Sequence, residues 1–72
     1  LRDYQQAIAS YDTAIRLQPD YALAYTNRGL VHAQLQATPA ATKDLNMAAK
    51  LFQAQKNPAA YESVMRKLEK IK

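Results

Sequence analysis

Residues 3–20 read DYQQAIASYDTAIRLQPD, and this stretch decides the fold. Its apolar side chains recur at intervals of three and four residues, which places them on one face of a helix. Asp3 is suited to cap the start of this helix, and Pro19 ends it because proline has no amide N–H to donate. The apolar face consists of Tyr4, Ala7, Ile8, Tyr11, Ala14 and Ile15.

The rest of the chain continues with the same kind of pattern. Asp20, Thr38 and Asn57 are each placed to cap a further helix, and proline follows two of these caps. The spacing predicts helices over residues 21–35 and 39–55, and a fourth from residue 58. Because the connections are short, consecutive helices are expected to be antiparallel. The predicted fold is all-α, with about four helices in antiparallel hairpins.

Composition limits what this chain of 72 residues can do. A core of this size is marginal, so neighbouring repeats or a second copy are expected to add stability. The absence of cysteine excludes disulfides and thiolate chemistry and leaves the compartment open. No apolar stretch approaches the ~18 residues that span a bilayer. The formal charge of +4 favours solubility and does not by itself indicate nucleic acid.

A shift of 34 residues superposes the pattern on itself, and a period of this length is typical of tetratricopeptide repeats. The matched pairs are Leu1 with Leu35, Ala7 with Ala41, Tyr11 with Leu45, Ala14 with Ala48, and Leu17 with Leu51. Residues 3–20 resemble the second helix of that repeat. Residues 24–35, AYTNRGLVHAQL, resemble the first helix of the repeat that follows.

The resemblance implies an α-solenoid in which small residues let helices approach closely, Gly29 above all. It implies a truncated repeat over 1–19, one complete repeat over 20–57 and a C-terminal capping helix over 58–72. The fourth helix aligns with the second only after two extra residues, which places Met65 on Gly29. We therefore expect a C-terminal fragment of a repeat array that ends in a capping helix.

The resemblance also implies function: first helices line a concave surface that holds a peptide or a partner domain. The positions that match this surface are Leu23, Thr26, Asn27, Leu30, Ala33 and Gln34. Asn27 occupies the place of the asparagine in the carboxylate-clamp members of the family. A complete clamp is not expected, because Leu23 stands where the clamp has lysine. For Asn27, an ordinary solvated or inter-helix role remains the alternative.

Two other kinds of partner are open. A first helix with one uncovered flank would favour a homo-oligomer through Tyr4, Ile8 and Tyr11. A weaker alternative is an acidic polymer or surface, bound by the outward basic face of the last helix. That face comprises Arg66, Lys67, Lys70 and Lys72, and two glutamates dilute it, so nucleic acid is disfavoured.

No catalytic set, metal site or cofactor is expected from the sequence. His32 is the only histidine, and no carboxylate lies three or four residues away on its helix face. It is therefore assigned to partly buried packing, and Asp44 is assigned to an exposed face. A glycine-rich phosphate-binding loop is excluded, because the chain has only one glycine. The chain is expected to be a non-enzymatic scaffold.

Overall fold

A computed structural model describes residues 3–71, and no strand occurs among them. The helices of this part of the chain are α1 (Tyr4–Leu17), α2 (Ala22–Gln34), α3 (Thr38–Ala54) and α4 (Pro58–Ile71). The predicted all-α fold of about four helices in hairpins is confirmed. Leu1 and Lys72, which the sequence analysis used, lie outside the described residues.

The positions of the helices reproduce the repeat. α3 begins 34 residues after α1, whereas α4 begins 36 residues after α2. The two extra residues arise because α3 has 17 residues and α1 has 14, while the connection after α3 is one residue shorter. The second helical hairpin is therefore a lengthened copy of the arrangement that starts at α1.

Two of the predicted helix caps are present. The carboxylate of Asp3 accepts a hydrogen bond from the backbone N–H of Gln6 at 3.0 Å. The amide oxygen of Asn57 accepts one from the N–H of Ala60 at 3.3 Å. Each bond satisfies an amide at a helix start that has no partner within the helix, so both residues stabilise the helices that they precede.

The other two caps were predicted wrongly. Tyr21, not Asp20, precedes α2, and no side chain caps that helix. The backbone carbonyl of Asp20 instead accepts a hydrogen bond from the Gln55 side chain at 2.9 Å. Thr38 is itself the first residue of α3, because the preceding turn leaves Ala37 in the capping position.

The same turn ends both α2 and α3. Gln36 and Lys56 have φ angles of 60° and 58°, in the left-handed region. The next N–H in each turn reaches back to a carbonyl of the last helical turn: Ala37 to His32 at 2.8 Å, and Asn57 to Phe52 at 2.9 Å. This is the Schellman arrangement, which reverses the chain within three residues.

One cluster of buried apolar residues joins α3 and α4. Its buried members are Leu45, Ala48, Ala49, Val64 and Leu68, and Tyr25 of α2 packs against them. Gly29 of α2 approaches α3 so closely that an added Cβ would lie 3.0 Å from Leu45 Cγ and 3.2 Å from the Ala41 carbonyl oxygen. The predicted close contact at Gly29 is confirmed, and it places α2 firmly against α3.

Candidate functional site

The outer face of α2 forms a ridge between two grooves. Asn27 and Leu30 lie on the crest and line both grooves. Leu23 lies near the start of the helix and is 52% exposed. These three residues, all predicted to bind a partner, therefore share an accessible surface.

The first groove, called the α2–α4 groove, has a volume of about 190 Å³. Its residues are Leu23, Thr26, Asn27 and Leu30 of α2, Phe52 of α3, and Ala60, Ser63, Val64 and Lys67 of α4. Most of this lining is apolar. Its hydrogen-bonding groups belong to the two walls, so the groove combines an apolar interior with polar edges.

Lys67 belongs to this groove, although the sequence analysis placed it on the outward face of the last helix. Its ammonium donates a hydrogen bond to Ser63 Oγ at 2.8 Å, one helical turn away. Val64, three residues before Lys67, is buried against the core. Lys67 shares that helix face, and its aliphatic stem covers apolar surface while the charge reaches the groove edge.

The second groove, called the α1–α2 groove, lies between the first two helices and has a volume of about 320 Å³. Its residues are Tyr4 and Tyr11 of α1 with Asn27, Leu30, Val31 and Gln34 of α2. Both tyrosines are half-buried rather than fully exposed. Ile8, the third residue predicted for self-association, is also half-buried but does not line the groove.

The structure divides the six residues predicted for partner binding. Thr26 is buried, and its hydroxyl donates a hydrogen bond to the Ala22 carbonyl oxygen at 3.0 Å. Thr26 therefore lines the bottom of the groove, and its hydroxyl hydrogen is not available to a ligand. Gln34 is exposed and lines only the α1–α2 groove. Ala33 is half-buried and lines neither groove. Only four of the six predicted residues therefore line the α2–α4 groove.

Arg28, one residue after Asn27, ties three helices together. Its Nε and Nη2 donate to the two carboxylate oxygens of Asp44 on α3 at 2.8 and 2.7 Å. Its Nη1 donates to Asp12 of α1 at 2.7 Å. The guanidinium carbon also lies 5.4 Å from the centre of the Tyr25 ring, within the range of a cation–π contact. These bonds fix the rotation of α2 and thus the direction of its ridge.

The prediction that Asp44 lies on an exposed face was wrong. The Asp44 side chain is 6% exposed, because α2 covers this part of α3 and supplies Arg28 as its partner. Asp12 on α1, which binds the same arginine, is 51% exposed. Hydrogen bonds from Arg28 to Asp44 raise the pKa of the guanidinium above its already high value, with Asp12 adding to the effect and burial opposing it. Arg28 therefore keeps its charge throughout the accessible pH range.

His32 lies beside this arrangement. Its Nε2 is 3.8 Å from Asp44 Oδ2, and its side chain is largely buried. Both Asp44 oxygens accept hydrogen bonds from Arg28, and 3.8 Å exceeds hydrogen-bond distance, so His32 and Asp44 do not form a hydrogen-bonded pair. Within residues 3–71, no group of three histidine, cysteine or acidic residues could hold a metal ion.

The basic face of α4 is smaller than the sequence analysis expected. Arg66 pairs with Glu62 at 3.3 Å, and Lys67 turns toward the groove. Among the described residues of that face, Lys70 remains as an exposed cation. This distribution gives the acidic-polymer alternative no added support.

The α4 wall of the groove was the part that sequence reasoning missed. One signal was available, since the 36-residue offset between α2 and α4 places Ser63 on Asn27. The sequence gives no comparable sign that Phe52 lines the groove, because the position of its side chain depends on how α3 packs beneath α2 and α4. Lys67 was hidden by its neighbours Arg66 and Lys70, which do face solvent.

A family model described as a TPR repeat matches residues 3–36, a stretch that covers α1 and α2. The four-helix arrangement agrees with it, and together they support a tetratricopeptide repeat protein. Repeats of this family generally mediate protein–protein interaction, and the family is typically a non-catalytic scaffold. No curated protein and no solved structure matches the chain significantly. Among the described helices, none is long and apolar enough to cross a membrane.

Proposed function

We propose that this chain is a non-catalytic interaction module that binds a peptide segment of a partner protein in the α2–α4 groove. The observation that carries the proposal is the exposed, mostly apolar surface formed by Leu23, Leu30 and the α4 wall, on a fold that generally binds proteins. In this proposal, residues 20–57 are one complete repeat and residues 58–72 supply the second wall.

The dimensions of the groove favour a peptide over a small molecule. A volume of about 190 Å³ is below the ~300–1,000 Å³ of typical small-molecule sites. Leu23 and Leu30 are seven residues apart on α2, so they span roughly 10 Å along the helix axis. An extended peptide covers that distance with about three residues. The groove therefore suits one large apolar side chain with its two neighbours.

Asn27 is the residue expected to orient the peptide. Its amide carries both donors and an acceptor, which match a peptide C=O and N–H. Within residues 3–71 its side chain makes no hydrogen bond, so those groups are available. Apolar contact with Leu23 and Leu30 would supply affinity, and Asn27 would set the direction of the bound chain.

A test begins with selection of binding peptides from a displayed random library, followed by titration of the isotope-labelled protein by NMR. Leu23→Asp should weaken binding about tenfold by loss of apolar burial. Asn27→Ala should weaken it about fivefold by loss of hydrogen bonds. The Leu23 variant should stay folded, because an acidic residue suits the first turn of a helix.

Leu17→Asp is the matched control, because Leu17 is 78% exposed and lies outside both grooves. It should leave the affinity unchanged. If peptides bind but the Leu23 and Leu17 variants behave alike, the site is elsewhere. If the library yields no binder, the proposal loses its support.

We propose self-association through the α1–α2 groove as a second function. The specific observation is that α1 has no buried residue, whereas α3, which matches it at several positions, has five. Tyr4 and Tyr11 present aromatic surface beside Leu30, which a second copy could cover symmetrically. Because Asn27 and Leu30 line both grooves, self-association would compete with peptide binding.

Sedimentation at rising protein concentration tests this second proposal. Tyr11→Asp should lower the average mass at high concentration, since it places a charge in the contact. Tyr21→Asp is the control, because Tyr21 is an exposed tyrosine that lines neither groove. A strict monomer at all concentrations, or equal effects of the two variants, would contradict the proposal.

A further inference from the structure

We infer that the peptide bound in the α2–α4 groove carries an aspartate or glutamate side chain next to its large apolar residue, and that Lys67 binds this carboxylate. The inference rests on the proposed peptide-binding function and adds the chemistry of the partner. It follows from the position and the incomplete pairing of one lysine.

The ammonium of Lys67 is held in place by one hydrogen bond and has further donors that are not used. It has three donors, of which one goes to Ser63 Oγ at 2.8 Å. That bond restrains a side chain which would otherwise be mobile, so part of the entropy cost of binding is already met. The remaining donors are available to an incoming group.

No carboxylate of the described chain neutralises Lys67. Arg28 pairs with Asp12 and Asp44, and Arg66 pairs with Glu62, but within residues 3–71 no acidic oxygen lies within 4.0 Å of Lys67. Lys67 is also the single charged residue in the lining of the groove. A ligand that enters this groove therefore meets an uncompensated positive charge.

The surroundings strengthen an ion pair at this position. Lys67 is half-buried, and Leu30, Phe52 and Val64 surround the groove with apolar atoms. Charges at a partly buried site interact more strongly than charges in open water and are less screened by salt. A carboxylate is thus favoured over an amide or an ammonium of similar size.

The direction of the helices places the acidic residue relative to the apolar one. α2 and α4 run in the same direction, because each is antiparallel to α3. Leu23 and Ala60 lie near the starts of these helices, whereas Leu30 and Lys67 lie further along them. The apolar side chain fills the interior of the groove, and the carboxylate lies at the Leu30 end, within about three residues of it.

Four synthetic peptides test the inference by NMR titration of the labelled protein at low salt. Three have blocked ends and contain leucine next to aspartate, asparagine or lysine. The fourth contains leucine and asparagine with a free C-terminal carboxylate. The aspartate peptide should bind about two- to fivefold tighter than the asparagine peptide, and this preference should shrink as salt is added.

Lys67→Glu should reverse the order, so that the lysine peptide binds best. Lys70→Glu is the matched control, because it makes the same charge change on the same helix at an exposed position outside the groove. It should leave the order unchanged. Far-UV circular dichroism confirms that both variants are folded.

The outcomes separate this inference from the function on which it rests. If the three blocked peptides bind with equal affinity and change the NMR chemical shifts of Leu23 and Leu30, the role of Lys67 is overturned and peptide binding in the groove stands. Tightest binding of the free-terminus peptide overturns the choice of a side-chain carboxylate. Absence of binding by any peptide, together with an empty library selection, overturns both proposals.

Discussion

Helices α1 and α3 share small and bulky residues at several aligned positions, yet their burial differs. Ala7 aligns with Ala41 and Tyr11 with Leu45 after a shift of 34 residues. In α3 the second member of each pair is fully buried, whereas in α1 both first members are half-exposed. Matching small and bulky positions thus occur in a core helix in one place and in a boundary helix in the other.

The difference comes from the neighbours of each helix. α3 packs against α2 on one side and α4 on the other, whereas the main contact of α1 is with α2 alone. Amphipathic patterning shows which face of a helix requires cover, but a second helix must supply that cover. The half-covered face of α1 forms one wall of the α1–α2 groove, which is why self-association is a reasonable proposal there.

The largest effect is expected when the aligned residues Leu45 and Tyr11 are each replaced with alanine. Leu45→Ala should lower the free energy of unfolding by about 2–5 kcal/mol, because it leaves a cavity in a closed core. Tyr11→Ala should cost about 1 kcal/mol, because solvent fills the space. Urea denaturation followed by circular dichroism measures both. If Leu45→Ala does not fold, Leu45→Met provides a milder comparison.

A second test uses the two carboxylates that share Arg28. Asp44→Ala should destabilise the protein by roughly 2–4 kcal/mol, because it removes two charge-assisted hydrogen bonds at a buried position. Asp12→Ala should cost less than about 1 kcal/mol, because its side chain is exposed. Equal losses in thermal unfolding would mean that α1 is as firmly held as α3.

A third test of the difference between α1 and α3 replaces an aligned alanine in each helix with a larger residue. Ala41→Leu should cost about 1–3 kcal/mol, because the Ala41 carbonyl lies where Gly29 brings α2 close and leaves no room. Ala7→Leu, at the aligned position of α1, should be within about 0.5 kcal/mol of the parent. A large loss at Ala7 would show that α1 has a tightly packed neighbour after all.

The smallest expected effect concerns the helix starts. Asp3→Ala should cost about 1 kcal/mol or less, because it removes the capping bond to the Gln6 N–H. Ala37→Ser should stabilise α3 by a similar amount, because that start lacks a side-chain cap. Both values are accessible to thermal denaturation. A larger loss at Asp3 would indicate that α1 depends on its own helical stability more than on packing.

Much of the fold could be predicted because its signals are local. The caps at Asp3 and Asn57 and the stop at Pro19 depend on backbone chemistry within a few residues. The failures at Asp20 and Thr38 are also local: the preceding turn moved each helix start by one residue, which a side-chain preference cannot detect.

The candidate site was less predictable, because its parts are distant in the chain. Leu23, Asn27 and Leu30 could be placed on one face from their spacing within α2. Lys67 and Phe52 join them only because α3 and α4 fold back beneath and beside α2. The burial of Asp44 likewise required a partner sixteen residues away.

The sequence by itself determined four amphipathic helices, their antiparallel order and the small residue at which two of them meet, since each depends on spacing along one helix or one short turn. Only the tertiary structure decided which apolar faces are closed and which remain open, and which charges are paired. Burial and ion pairing are properties of two or more segments together, so they are settled when the helices pack.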